Sequence, residues 1–268
     1  MPNPQGYATG HVRRPDKDHL INLAMARGRV RRATVAMLTP PSSWDSRALG
    51  WVPPIKDQSQ CGSCWDFSGT GVIEIALIKA GVLSADGSQA LSEEYTLDCG
   101  RNGGCNGDDN VTVLEWAKAT GLPLSSEYGP YRAQPGTCKF KSGMKLYRID
   151  DWGFADGQGN GVSDTTRIKQ DIMAYGSAGC AVDAGFDDPG TGVISGRGNN
   201  IDHDVILVGW DDTKGRHGAW IMRNSWGTGW GDRGYAWIEY GSFSIGTEAV
   251  HAVVTSVKPP DVIDWSNL

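Results

Sequence analysis

Cys64 sits where a thiol can become a nucleophile. Gly62-Ser63 precede it, Trp65 follows it, and Phe67, Gly71, Ile75 and Ile78 recur behind it at three- and four-residue steps. That spacing predicts a helix beginning at Cys64 and ending at Gly81. The unpaired N–H groups of a helix N-terminus favour an anion. A thiol so placed beside an imidazolium has its pKa lowered to roughly 3.5–7.5. Hydrolysis through such a sulfur also needs a proton carrier and donors for an oxyanion. A cysteine taken alone is more often a half-cystine or a core thiol, so its surroundings must decide. Six cysteines are present, at Cys61, Cys64, Cys99, Cys105, Cys138 and Cys180. The first four cluster among glycines, which is open to three readings: a disulfide framework, a metal site or a redox pair, since Cys61-Gly62-Ser63-Cys64 is formally a C-x-x-C.

The elements that must position these residues follow from pattern. Besides the Cys64 helix, Ser92-Glu93-Glu94 signals a short helix, with serine as cap and acids in its first turn. Further helices are predicted over roughly Asn110 to Ala119 and Thr165 to Tyr175. The later half turns extended: Val205-Ile206-Leu207-Val208, Ala219-Trp220-Ile221-Met222 and Tyr235-Ala236-Trp237-Ile238 are short apolar runs separated by glycine-rich turns. Helices first and strands second read as an α+β fold of two lobes. Residues 1 to about 40 differ, with charge, little periodicity and no cysteine, and Pro40-Pro41-Ser42-Ser43 is a natural joint.

Bulk composition narrows the function classes. The net charge is −6, and no basic stripe with interleaved aromatics occurs, so a nucleic-acid role has no support. The Arg27 to Arg32 run reads as a solvated segment rather than a polyanion site. No run of 18 apolar residues is present, so no spanning helix is expected. Met1-Pro2-Asn3-Pro4-Gln5 lacks the basic start and apolar stretch of a signal peptide. Glycine, 37 of 268 residues, is about twice its usual share and predicts many turns.

The word Cys61-Gly62-Ser63-Cys64-Trp65 is a recorded signature of papain and cathepsin nucleophiles, whose histidine and asparagine follow roughly 130–150 residues downstream. His203 lies 139 positions beyond Cys64, and Asn224 lies 160 beyond, slightly past that window. Other words agree in order: Gln58 six residues before the cysteine, Leu91-Ser92-Glu93-Glu94 with Asp98-Cys99, Gly104-Cys105-Asn106-Gly107, Asp202-His203-Asp204 with Val208-Gly209-Trp210, and Asn224-Ser225-Trp226-Gly227-Thr228-Gly229-Trp230-Gly231. From about Trp44 to about Val257 the chain resembles the papain-like cysteine proteases, and its short leader is similar to that of bacterial members.

The resemblance implies a two-lobed papain-like fold, with a helical first lobe (about 55–150), an antiparallel β-barrel-like second lobe (about 151–257) and the active-site cleft between them. It implies cysteine endopeptidase chemistry on peptide or protein substrates, without cofactor or metal, in a chain expected to be a monomer. Cys64 would attack, and His203 would take and return the proton. Asn224 would orient the imidazole, with Trp226 shielding their hydrogen bond. Gln58 and the Cys64 N–H would hold the oxyanion. Gly107, Asp108, Asp109, Ile201, Asp202 and Trp226 would line the substrate path. Cys61–Cys105 and Cys99–Cys138 would be disulfides, with Cys180 a buried free thiol. The disulfides suggest an extracytoplasmic location. His11, His19, His217 and His251 match no family word and read as loop or surface residues.

Departures from the family pattern matter as much. Asp108 stands where a second glycine usually offers its backbone to the substrate as an added strand; its N–H and C=O can still pair, but its carboxylate comes beside the cleft. Asp109 and Asn110 replace the aromatic and proline that often wall the second subsite, making it more polar and open to a basic side chain. No histidine-bearing insertion follows Cys105, so endopeptidase action is expected. A redox reading gives no role to His203 or Asn224, a zinc site lacks a second cysteine pair, and Asp156-Gly157-Gln158-Gly159-Asn160-Gly161 has Arg167 where a calcium loop needs glutamate. Residues 1–40 are expected to be a leader preceding a peptidase domain over 41–268. The leader would block the cleft along a reversed or displaced path, with the Arg27 to Arg32 run meeting Asp108-Asp109.

Overall fold

The computed structural model describes residues 3, 5–27, 37–100, 103–156, 161–255 and 261–262. Its central element is helix α2, Cys64–Lys79, which is buried on every side from Cys64 to Ile78. A helix apolar around its circumference belongs inside a core. Gly69 and Gly71 make this possible: a Cβ at Gly69 would meet Val113 at 2.7 Å, and one at Gly71 would meet Ile206 at 2.5 Å. Of its two buried acids, Asp66 accepts from Thr70 Oγ1 at 3.0 Å, and Glu74 accepts Lys56 Nζ at 2.8 Å and the Leu91 N–H at 2.7 Å. Lys56 also bonds Glu93 at 2.6 Å.

Helix α1 is Lys17–Arg27 and strand β1 is Ser43–Asp45. Around α2 pack α3 (Glu93–Cys99), α4 (Asn110–Ala119) and α5 (Ser125–Tyr128). The Ser92 cap is realised, with its side chain accepting from the Tyr95 N–H at 3.1 Å. Asp109 caps α4 in the same way, accepting from Val111 N. Two disulfides, Cys61–Cys105 and Cys99–Cys138, tie this lobe as the resemblance implies. Because Cys61 is spent on Cys105, Cys64 and Cys180 are free thiols and the C-x-x-C redox pair does not exist.

The second half supplies β2 (Lys145–Leu146), β3 (Asp151–Phe154), α6 (Thr165–Tyr175), β4 (Ala178–Val182), β5 (Val193–Ile194), β6 (His203–Asp211), β7 (Ala219–Arg223), β8 (Tyr235–Glu239), β9 (Thr247–Val253) and β10 (Asp261–Val262). The main sheet runs β3-β9-β4-β6-β7-β8-β5, with β1 added on β6. Strand β6 shows how the sheet divides the molecule. Ile206 and Val208 face the helical core, while Val205 and Leu207 face a second core with α6 residues Ile168 and Ile172. Alternation along one strand thus builds both cores.

The barrel-like expectation needs correction. The sheet is open, with β3 at one end and β5 at the other. Helices α1 and α4 pack against β3, and β5 is only two residues long and runs parallel to β8, so no strand among the described residues joins the ends. The leader also differs from expectation: Lys17–Arg27 is helical, and its Leu20 and Ile21 are buried in the helical core. It lacks a core of its own and borrows that of the domain. Most of the Arg27 to Arg32 run and of the Asp156 to Gly161 turn lies outside the described residues.

Candidate active site

Three elements converge at the site. Helix α2 begins with Cys64 behind Ser63, whose side chain makes no capping bond, so the helix end has no hydroxyl competing with the sulfur. Strand β6 begins with His203, and Asn224 follows directly on β7, the neighbour of β6 in the sheet. His203 Nε2 meets Asn224 Oδ1 at 2.9 Å. The Asn224 oxygen also accepts the Ser225 N–H at 2.8 Å, which fixes the amide's direction. Trp226 lies over the imidazole, with ring centroids 4.5 Å apart at 21°. His203 Nδ1 is buried with no hydrogen-bond partner among the described residues. The Cys64 thiol faces the backbone N–H groups of Asp204, Gly10 and Trp65. Cys64 and His203 are both fully buried.

Gln58 is also fully buried, not a surface residue. Its side-chain Oε1 accepts from Ser225 Oγ at 2.5 Å, which turns Nε2 toward the cleft. There Nε2 donates to the Ala8 carbonyl at 3.1 Å and to the Cys61 carbonyl at 2.9 Å. The leader therefore lies in the site. Its Ala8 carbonyl also accepts from Trp226 Nε1 at 3.1 Å, and Tyr7 stacks on the Trp226 ring at 4.5 Å. Further along, the His11 N–H donates to the Asp202 carbonyl at 2.9 Å. Asp108 N–H donates to Gly10 O at 2.9 Å, and Val12 N–H donates to Asp108 O at 2.8 Å, a parallel bridge. Asp108 thus pairs with an added strand through its backbone, as a glycine would. Its carboxylate does not enter the cleft; it accepts from Gly103 N, Asp109 N and Thr112 Oγ1 in its own loop.

The neighbouring acids do face the leader. Asp204 Oδ2 meets His11 Nδ1 at 2.9 Å, and Asp109 Oδ2 meets Lys17 Nζ at 2.6 Å. Lys17 also bonds Glu248, and Arg13 Nε meets Glu248 at 2.9 Å. Among the described residues the Asp109 carboxylate is met by Lys17; most of the Arg27 to Arg32 run expected to meet it lies outside them. Of the histidines read as loop or surface residues, His11 is in a loop but its side chain is only 6% exposed in this pair, and His251 is buried on β9, bonded to Asp171 and stacked on Tyr175 at 4.0 Å. His11, Asp109 and Glu248 bring ligand atoms within 4.8 Å of one another, but the Lys17 ammonium bonds both carboxylates and fills the place a cation would take.

Electrostatics follow from the closed cleft. Burial pushes the Cys64 thiol well above its ordinary value, and the Asp204 charge adds to that. Burial lowers His203 to about 4, against the Asn224 hydrogen bond and with the His11 charge assisting. With the leader in place both shifts run toward the uncharged thiol and imidazole, because water that would solvate the charges is excluded. Burial also pulls His11 down, but the Asp204 charge and hydrogen bond override it and raise His11 to about 9.

Sequence reasoning placed Cys64, His203, Asn224, Gln58, Gly107, Asp108, Asp109, Ile201, Asp202 and Trp226 about one cleft; the leader touches Gln58, Gly107, Asp108, Asp109, Asp202 and Trp226 there. It missed His11, Lys17, Asp204 and Glu248. Asp204 stood beside His203 in the same word, and strand alternation alone puts it on the opposite face. Glu248 lies 231 positions from Lys17 and 235 from Arg13, so no local signal marks it.

A free cysteine at a helix start, a histidine held by an amide and a backbone-pairing edge define a cysteine hydrolase site. The model for the papain family of cysteine proteases matches residues 40–254, and the chain belongs to that family. Oryzain beta chain of Oryza sativa subsp. japonica is 34% identical over 238 residues, covering 82% of this chain and 48% of that protein. Digestive procathepsin L 3 of Tenebrio molitor superposes with a TM-score of 0.71 at 28% identity, covering 82% of this chain and 72% of the other. The Carica candamarcensis cysteine protease CMS1MS2, solved in complex with E-64, gives 0.67 at 30% identity, covering 80% and 99%. The chain spans about half the length of the curated relatives it matches first.

Proposed function

We propose that this chain is a cysteine endopeptidase that works as a single chain, with residues 1–40 as an inhibitory leader and 41–268 as the peptidase domain. With the leader gone, water returns and Cys64 and His203 exchange a proton to give thiolate and imidazolium. The sulfur bonds to the scissile carbonyl carbon, and the oxygen that gains charge is held by Gln58 Nε2 and the Cys64 N–H. Collapse breaks the C–N bond, His203 gives its proton to the leaving amine, and a thioester remains. Water, losing a proton to His203, then attacks the thioester and frees Cys64. Asn224 is an amide because the resting pair already carries its charge separation and needs orientation only. Bacterial members such as xylellain are one kind of relative that the chain resembles.

The observation that carries this reading is the path of the leader. It pairs with the substrate edge at Asp108, sets a carbonyl on Gln58, yet presents the Gly10 N–H to Cys64 where a substrate would present a carbonyl carbon. A parallel strand on Asp108 runs opposite to an antiparallel one, so the leader binds as substrate-like backbone that cannot be cut. The test is hydrolysis of a peptide library by the activated full chain, with Cys64→Ala as control. Turnover and labelling by E-64 should both vanish in the variant; undiminished turnover would refute the assignment.

A further inference from the structure

The leader does more than cover the cleft: three of its cations, His11, Arg13 and Lys17, meet three carboxylates of the domain, Asp204, Asp109 and Glu248. Lys17, Asp109 and Asp204 are each no more than 1% exposed, and Glu248 is 4% exposed. His11 is the residue bridged to Asp108, so its side chain leaves the added strand at the position where a substrate's own side chain would enter. Asn110, 2% exposed, adds a second sign of a missing donor. Its Nδ2 lies 3.4 Å from Asp204 Oδ1, and its Oδ1 is buried beside the same carboxylate with no partner among the described residues.

When the leader leaves, it takes all three cations and leaves the three carboxylates they met. Water then solvates these carboxylates, and a side chain that enters the pocket must displace that water, a loss that a positively charged group offsets. An apolar side chain would desolvate the carboxylates and return nothing.

Resting on the peptidase reading above, we propose that the second subsite is a cation pocket formed by Asp109, Asp204 and Glu248, selecting a lysine or arginine side chain on the substrate residue paired with Asp108, and that His11 and Lys17 are its internal surrogates. Asp204 and Glu248 are specificity residues; neither touches the scissile bond. The polar character of Asp109 and Asn110 alone would only tolerate a base, whereas three carboxylates converging on one position favour one.

The experiment folds the full chain with its leader, cuts the leader in place by limited proteolysis, and compares peptides differing only at the second residue before the scissile bond. Arginine or lysine there should exceed leucine in kcat/KM by at least tenfold. Glu248→Gln, which keeps shape and removes charge, should cut that ratio at least fivefold, mostly through KM. Equal or better cleavage of the leucine peptide by the unaltered chain overturns the proposal, whatever the variant does. Binding of the same peptides to the cut Cys64→Ala chain separates this claim from the peptidase reading. A basic preference in binding without hydrolysis by the parent chain would sustain the pocket and end the peptidase assignment. Absence of preference in both measurements would end the pocket.

Discussion

The Ala8 carbonyl oxygen accepts a 3.1 Å hydrogen bond from Gln58 Nε2, the donor assigned to the oxyanion. The leader is thus bonded to a residue proposed as catalytic, not merely laid over it. Two residues later the Gly10 backbone reaches the sulfur, and three later His11 reaches Asp204. Each of these contacts makes an expectation that can be measured.

Gly10 is packed against the Gly62 carbonyl, which a Cβ at position 10 would overlap. The opposing Gly62 has the same constraint, since its own Cβ would lie 2.7 Å from Thr9 O. Gly10→Ala should therefore loosen the leader by about 1–3 kcal/mol, the usual cost of overpacking. Basal activity of the uncut chain should rise several-fold or more, measured as initial rate on a small peptide. No rise would show that this stretch does not limit access to Cys64.

His203 and Asn224 should separate in kinetics. His203→Ala removes the group that moves the proton, and a loss on the order of 10⁴–10⁶ in kcat is expected for such a group. Asn224→Ala removes only the 2.9 Å bond that orients the ring. Its loss should be much smaller, on the order of 10²-fold, with residual turnover. Equal losses measured on activated enzyme would contradict the division between proton carrier and orienting residue.

Leader inhibition should depend on pH through His11. In the docked leader His11 is raised from 6.5 to about 9. A histidine so raised contributes its full stabilisation below 6.5 and loses it as pH climbs through 9. The contribution is about 3 kcal/mol, so affinity should fall roughly a hundredfold between those values. The measurement is inhibition by a synthetic leader peptide across that range, compared with a His11→Ala peptide. The unaltered peptide should lose its advantage by pH 9; an advantage that grows with pH would reverse the assigned charge state.

The two disulfides close loops with sequence separations of 44 and 39. Loop-closure entropy then gives each about 4 kcal/mol of stability. Replacing Cys99 and Cys138 together by serine should lower the unfolding free energy by an amount of that order in denaturant titration. Peptide mapping without reduction should recover Cys61 with Cys105 and Cys99 with Cys138.

Much was already decided by the order of residues. The start of α2 at Cys64, the Ser92 cap and the spans of α4 and α6 follow from local pattern, because capping groups and helical periodicity act over a few positions. The identities of Cys64, His203, Asn224 and Gln58 were legible because each sits in a distinctive word. Long-range pairing was not. The sheet's opening depends on which strands meet, and β3, β4 and β9 carry no strong local signal. Tertiary structure alone decided the fate of the acids. Asp108 is turned into its own loop while Asp109, one residue on, is turned to Lys17. It likewise buried His11 against Asp204, across 193 positions, and brought Lys17 to Glu248, across 231. A charge is silent in sequence until the fold removes water from around it. Only then do its partners, rather than its type, determine what it does.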